Sequence, residues 1–342
     1  MRQPGIHATE ARKARHLDVC LDDDVASALD PGWSAVRLRH EALPEIALAD
    51  VDCAARFLGF GLRAPILISS MTGGTTRAAE LNLRLAEAAE AAGIAMGLGS
   101  GRALIENPAL LRTFDVRAAA PHALLFANIG AVSLNYGIDA GAVRQLVAGL
   151  RADALFLHLN PLQEALQPGG DTNFRGLLPK IAELCAALDV PVVAKGVGSG
   201  IAVTTAARLL DAGVAGIDTA SAGGTSWARV EGKRSGDDRR EAMAETFAGW
   251  GQPTAEAVRD LRERFPALPL IASGGVRTGI DIARALALGA DLCGLALPFL
   301  EAASTSRAAV DELIGTLVEG LRIAMFATGS ATVTQLRRTV LR

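Results

Sequence analysis

A chain of 342 residues is long enough for two average domains or one large barrel, and with half of it hydrophobic a sizeable core can form. A net charge of −3 and an aromatic content of 4% argue against a nucleic-acid protein that relies on a basic surface or on base-stacking platforms. The four cysteines, Cys20, Cys53, Cys185 and Cys293, are scattered without CxxC spacing, which excludes a disulfide framework or zinc site and suits a reducing cytoplasm.

The opening stretch MRQPGIHATEARKARH lacks the apolar centre of a secretory signal, and no run of about 18 apolar residues follows, so neither export nor a membrane span is expected. Arg12 and His16 stand four apart, on one face of an expected helix, with Lys13 adjacent. Taken alone, RKARH reads as a solvated basic helix end. Residues 1–64 precede the repeating part of the chain and are expected to cap it.

From residue 65 one pattern repeats: a short aliphatic run ending in Gly, Ser, Asn or a charge, then an Ala/Leu/Arg-rich helical stretch. The runs are PILISSM (65–71), GIAMGLGS (93–100), ALLFANIGA (123–131), ALFLHLN (154–160), PVVAKGV (191–197), GIDTAS (216–221), PLIASGG (269–275) and LCGLALPF (292–299). Continuous apolar runs read as parallel strands buried on both faces. About eight βα units predict a single (β/α)8 TIM barrel over 65–342, and the polar residues fall at strand ends, where barrel sites are built. A doubly wound sheet lacks its GxGxxG signature here. Residues 225–250 interrupt the sixth unit and read either as a solvated excursion or as a lid over the barrel mouth.

Each strand end has a bland and a chemical reading. SSMTGG (69–74) is a tight turn, or a place where backbone at Met71, Thr72 and Gly73 meets a flat ring. GLGSGR (97–102) offers Ser100 and Arg102. Asn128 could bond a ring carbonyl; Lys195, a buried strand-end lysine, needs either a salt-bridge partner or an electron-rich heterocycle. SAGGTSW (221–227) brings a Gly-Gly turn with hydroxyls at Ser221, Thr225 and Ser226, and SGGVRTG (273–279) brings Gly274, Gly275 and Arg277 to the opening of a helix. These are ordinary βα turns or a phosphate cradle in which the helix N-terminus favours the anion. The fourth strand end, HLNPLQE, gathers His158, Asn160, Gln163 and Glu164, with Asp171 following in PGGD.

Together RKARH, SSMTGG, GSGR, HLNPLQE with PGGD, GGTSW with VE (230–231), and ASGGVRTG resemble the type 2 isopentenyl-diphosphate isomerases over about Arg12 to Phe299. The resemblance implies a barrel that binds FMN, active when reduced, with Mg²⁺, NADPH as reductant and a homotetrameric or homo-octameric assembly. It implies a diphosphate substrate held by Arg12, Lys13, His16, Arg102, His158 and Asn160. Gln163 would sit beside the reacting carbons, with His158 also at the chemistry, and Glu164 would hold the metal. Met71, Thr72, Gly73, Ser100, Asn128, Lys195, Ser221, Thr225, Gly274, Gly275, Arg277, Ala296 and Leu297 would surround FMN.

Two positions depart from that family's usual pattern: Gly196 stands where a Glu follows the strand-five lysine, and Gly101 where a Gln lies between Ser and Arg. Without the Glu, Lys195 is expected to keep uncompensated positive charge near the flavin. An FMN-dependent α-hydroxy-acid oxidase shares the barrel and the Lys-Gly pair but needs a histidine and an arginine after strand six, where DTASAGGTSW has neither. An inosine-monophosphate-dehydrogenase-like reading needs a loop cysteine that is also absent there. A flavin-binding barrel without activity would have lost the substrate groups first, and those are present.

Overall fold

The structure, a computed structural model, describes residues 6–337 and 339, and side chains from Lys13 onward. Eight parallel strands close into a barrel: Ile66–Ile68, Ala95–Gly97, Leu125–Gly130, Ala154–His158, Val192–Lys195, Gly216–Asp218, Leu270–Ser273 and Leu292–Leu295. They are called the first to eighth barrel strands below. Each pairs with its sequence neighbour, and the eighth returns to the first. All eight apolar runs of the sequence become strands of this one barrel.

The connecting helices follow from local chemistry. Thr75 caps Thr76–Ala92 by accepting from the Ala78 N–H, and Gly93 ends it in the left-handed region at φ 64. Between those caps, Ala78, Leu81, Leu85 and Ala89 form the buried stripe that packs on the strands.

Side chains alternate along each strand, so every second residue points inward. Leu67, Phe126, Phe156, Val193, Ile271 and Leu292 fill the barrel interior, with Phe126 stacked on Phe156 at a centroid distance of 4.2 Å. The intervening residues, such as Ile66, Ile68, Leu125, Leu155, Ile217 and Cys293, pack outward against the helices. An antiparallel hairpin, Ala55–Phe57 with Phe60–Leu62, sends Phe57 and Leu62 into the interior cluster and plugs the N-terminal mouth. One step further along the strands the same alternation places Asn128, His158, Lys195, Asp218, Ser273 and Gly294. The apolar plug thus fixes where the polar layer begins, at the C-terminal mouth.

The N-terminal helix Ile6–Asp22 lies at that opposite mouth, with Leu17 in the core and Lys13 and His16 facing the site. Residues 225–250 form two helices. Trp227–Ser235 is built into the wall, with Val230 and Glu231 buried, whereas Asp238–Glu245 keeps only Ala244 buried. Among the described residues no helix is long and apolar enough to cross a membrane, and all four cysteines are free thiols.

Candidate active site

The C-terminal mouth opens into a cavity of about 300 Å³. Every sequence-predicted site residue whose side chain is described lines it. Arg12 alone lies outside the described side chains. From the fourth strand end come His158, Asn160, Gln163 and Glu164; from the first and second, Met71, Thr72, Gly73, Ser100 and Arg102; from the third and fifth, Asn128 and Lys195. The sixth, seventh and eighth supply Ser221, Thr225, Gly274, Gly275, Arg277, Ala296 and Leu297, and the N-terminal helix adds Lys13 and His16.

The floor is the polar layer. His158 Nδ1 lies 2.7 Å from Asn128 Oδ1. With the amide oxygen as acceptor, Nδ1 carries the proton. Burial, followed by the Lys195 charge, pushes His158 down to about 4, so it is neutral at pH 7. Lys195 Nζ donates to Asp218 Oδ2 at 2.5 Å and rests 5.6 Å from the centre of the Phe156 ring. The expectation of an uncompensated lysine is therefore corrected: its counter-ion is Asp218, on the neighbouring strand. Nor does a side chain at 196 point at the flavin space, since a Cβ on Gly196 would come 2.4 Å from the Thr219 carbonyl oxygen. At the other departure, a Cβ on Gly101 would strike Leu146 at 2.7 Å.

Above the floor, Asn160 Nδ2 donates to Gln163 Oε1 at 3.0 Å and to Glu164 Oε1 at 2.8 Å. Glu164 Oε2 accepts the Asp171 N–H at 2.7 Å and Gln167 Nε2 at 3.4 Å. Gln163 Nε2 donates to Glu231 Oε1, which also meets His16 Nε2 at 3.0 Å, while Arg234 pairs with the other oxygen at 2.7 Å. Burial alone would raise the Glu231 carboxyl, but the His16 and Gln163 hydrogen bonds and the Arg234 charge outweigh it and hold it at about 2. Arg102 pairs with Asp171 and, at 2.9 Å, with Glu106. Lys13 Nζ donates to the Ser100 carbonyl at 2.9 Å.

A flavin fits this lining. The hydroxyls of Ser69, Ser70, Thr72 and Ser221 and the amide oxygen of Asn160 are buried along the cavity with no hydrogen-bond partner among the described residues. Buried polar atoms are normally satisfied, and a planar heterocycle with polar edges would satisfy them. At the phosphate end the two Gly-Gly turns touch: a Cβ on Gly224 would come 2.8 Å from the Gly275 nitrogen. Gly274 and Gly275 adopt φ 119 and 71, which glycine alone takes easily.

Two helices begin near the glycine turns, and they differ in the free N–H groups they would offer an anion. Ahead of Gly279–Ala287, the Asp281 carboxylate takes the N–H groups of Arg277 and Thr278 at 3.2 and 3.1 Å. The helix Leu297–Thr305 instead has no side-chain cap and no acid in its first turn, and Ala296 and Leu297 at its start line the cavity. For a metal, no group of three His, Cys, Asp or Glu occurs among the described residues. Mg²⁺ commonly uses one or two carboxylates and completes its shell with phosphate oxygens and water; Glu164, which lines the cavity, is a carboxylate that could serve.

Some residues that shape the site are not singled out by any local motif. Asp218 was legible through the period-two alternation that buries Ile217 outward. Glu231 stands out in the sequence only as part of VE (230–231), and Trp227, which lines the cavity, only as part of GGTSW. Their partners His16 and Gln163 are distant in the chain, which no local pattern signals.

A barrel with this cavity is the architecture of FMN-dependent oxidoreductases. The family model described as FMN-dependent dehydrogenase matches residues 167–342. Solved structures of mandelate oxidase share the fold over 98–99% of both chains, with TM-scores of 0.66 and 0.67 at 18–19% identity. More specific are the isopentenyl-diphosphate delta-isomerases. That of Synechococcus sp. is 52% identical over 96% of this chain and 94% of its own. The Xanthobacter autotrophicus protein is 51% identical over 96% of each, and the Rickettsia bellii protein 48% over 97% of each. The chain belongs to the isopentenyl-diphosphate delta-isomerase family.

Proposed function

We propose that this chain interconverts isopentenyl and dimethylallyl diphosphate on a bound, reduced FMN, with Mg²⁺ holding the diphosphate and NADPH supplying the reducing electrons. The observation that carries the reading is the mixed lining of one cavity: buried, unpartnered hydroxyls suited to a flavin edge, together with the Asn160–Gln163–Glu164 segment and the cations Lys13 and Arg102.

Bound there, the reduced flavin would supply a proton-exchanging nitrogen and an electron-rich face for the shift of a proton between C2 and C4 of a five-carbon chain. The chain's own residues do the rest. Lys13, Arg102 and Arg12 gather positive charge for the diphosphate, and Glu164 holds its metal. Gln163, fixed between Asn160 and Glu231, orients the allylic end. Trp227 and Leu17 shut water from an apolar tail, and remote diphosphate binding is spent on placing the small reacting group. The enzyme acts in the cytoplasm as a homotetramer or homo-octamer, and the helix Trp227–Ser235 serves as the fixed part of a lid.

The test is the purified protein loaded with FMN and Mg²⁺, reduced by NADPH or dithionite, and given isopentenyl diphosphate in D₂O. Dimethylallyl diphosphate with deuterium at the exchanged carbons supports the reading. Full turnover in a flavin-free preparation would falsify it, and oxidation of a 2-hydroxy acid instead would point to the oxidase.

A further inference from the structure

Asp218 is fully buried and does not reach the cavity, whereas Lys195 lines it. Both oxygens of Asp218 are committed. Oδ2 accepts Lys195 Nζ at 2.5 Å; Oδ1 accepts the Ser273 hydroxyl and the Ala220 N–H at 3.2 Å. The three strands involved are adjacent, with Lys195 directly opposite Asp218 in the ladder. Around Lys195 the layer offers neutral Asn128, neutral His158 and Ser273. Asp218 is the only carboxylate in that layer among the described residues.

We propose that Asp218 is a positioning residue for the flavin chemistry. As the buried counter-ion of Lys195 it fixes where the ammonium sits on the cavity floor, and it cancels most of the positive charge that a bound flavin would otherwise face. The inference rests on the flavin reading above. A reduced flavin carries more negative charge than an oxidised one, so a bare cation beside it favours reduction. In a water-poor site that bias is far stronger than in bulk. Asp218 removes it, leaving the flavin easier to reoxidise. The Ser273 and Ala220 donors hold the carboxylate so that it cannot turn away.

The experiment uses the FMN-loaded enzyme and measures the midpoint potential by spectroelectrochemistry and FMN affinity by fluorescence. Asp218→Asn keeps the shape and the oxygen facing Ser273 but removes the charge. The potential is expected to rise, with reduced FMN gaining on oxidised FMN by on the order of tenfold in relative affinity. Lys195→Met is expected to lower it, and the double variant to return close to wild type, because it removes the pair as a whole. Should Asp218→Asn fail to fold, Lys195→Met and the double variant still decide. Single variants that weaken FMN binding while leaving the potential at the wild-type value would overturn the proposal and make the pair purely structural. A wild-type protein that binds no FMN would instead sink the flavin reading itself.

Discussion

Gln163 Nε2 donates to Glu231 Oε1 across 2.9 Å, tying the fourth-strand segment to the helix that interrupts the sixth βα unit. The same oxygen meets His16 from the N-terminal helix. Three distant segments thus close over the cavity on one carboxylate, and their order there depends on its charge.

Glu231→Gln should therefore disorder the rim. The amide cannot accept from His16, Gln163 and Arg234 together, and it leaves the Arg234 cation with a neutral partner. Stability is expected to fall by about 3 kcal/mol in urea unfolding, and turnover more than FMN affinity. The pH dependence has a defined sign. The folded carboxyl, at about 2 against an ordinary 4.5, gives stability that is present above 4.5 and lost as pH falls toward 2. The variant should lose less than wild type across that window. Equal acid profiles would show that the ion pair contributes nothing.

Glu164→Gln tests the metal. A neutral amide is a poor ligand for a hard dication, and it also breaks the set of donors from Asn160, Gln167 and Asp171. The Mg²⁺ concentration for half-maximal rate should rise at least about tenfold, with FMN affinity within about twofold of wild type. An unchanged Mg²⁺ response would make the carboxylate structural.

The barrel was legible because its eight strands are short apolar runs bounded by polar turns, a pattern set by burial on both faces. The strand-end residues were legible because barrel chemistry concentrates there. Charge pairing was not. Lys195 finds its partner 23 positions on, in the next strand, and Glu231 finds His16 215 positions back. Such contacts depend on register and on how an insertion folds back, neither of which a local window encodes. The capping at the helix Gly279–Ala287 is hidden for a related reason: Asp281 reads as an ordinary helical acid until the structure shows its capping box with Thr278.

His158 makes the site pH-sensitive. Its folded value of about 4 lies below the ordinary 6.5, so the unfolded chain takes up a proton between those values and the folded chain does not. Stability should fall as pH drops from 6.5 toward 4, and His158→Gln should flatten that slope. A diphosphate beside the ring favours its charged form, so inorganic pyrophosphate should bind more tightly in wild type at pH 5.5 than at 7.5. Calorimetry showing the same gain in the Gln variant would remove His158 from the phosphate site.

If Arg102 takes the diphosphate, Asp171 competes with it for the guanidinium. The guanidinium is already paired with Asp171 and Glu106, and both partners raise its affinity for its proton against the effect of burial. A diphosphate bound there would displace or share that contact. Asp171→Asn should leave Glu106 as the one carboxylate on Arg102, at little loss of packing, and tighten pyrophosphate binding by about fivefold in Mg²⁺-free buffer, equivalent to about 1 kcal/mol. Weaker binding in the variant would show that Asp171 orients Arg102 for the anion rather than competing for it.

Gly196 is the last position to test, because the structure reverses the expectation drawn from its neighbour. A Cβ there would sit 2.4 Å from the Thr219 carbonyl oxygen and 3.1 Å from that of Ala220, both backbone atoms of the adjoining barrel segment. Backbone in a closed barrel yields little, so Gly196→Ala should cost about 1–3 kcal/mol through overpacking alone. Gly196→Glu should be worse and should lose FMN, since the sixth-strand end would have to shift beneath Ser221, whose hydroxyl faces the cavity. Two measurements separate this from an electrostatic effect: FMN retention after gel filtration, and the midpoint potential of whatever flavin remains. Retained FMN with a lowered potential would mean that the Glu reaches the flavin as a charge. Lost FMN in Gly196→Glu, with Gly196→Ala weakened but unchanged in potential, would place the whole effect in the backbone contact with Thr219.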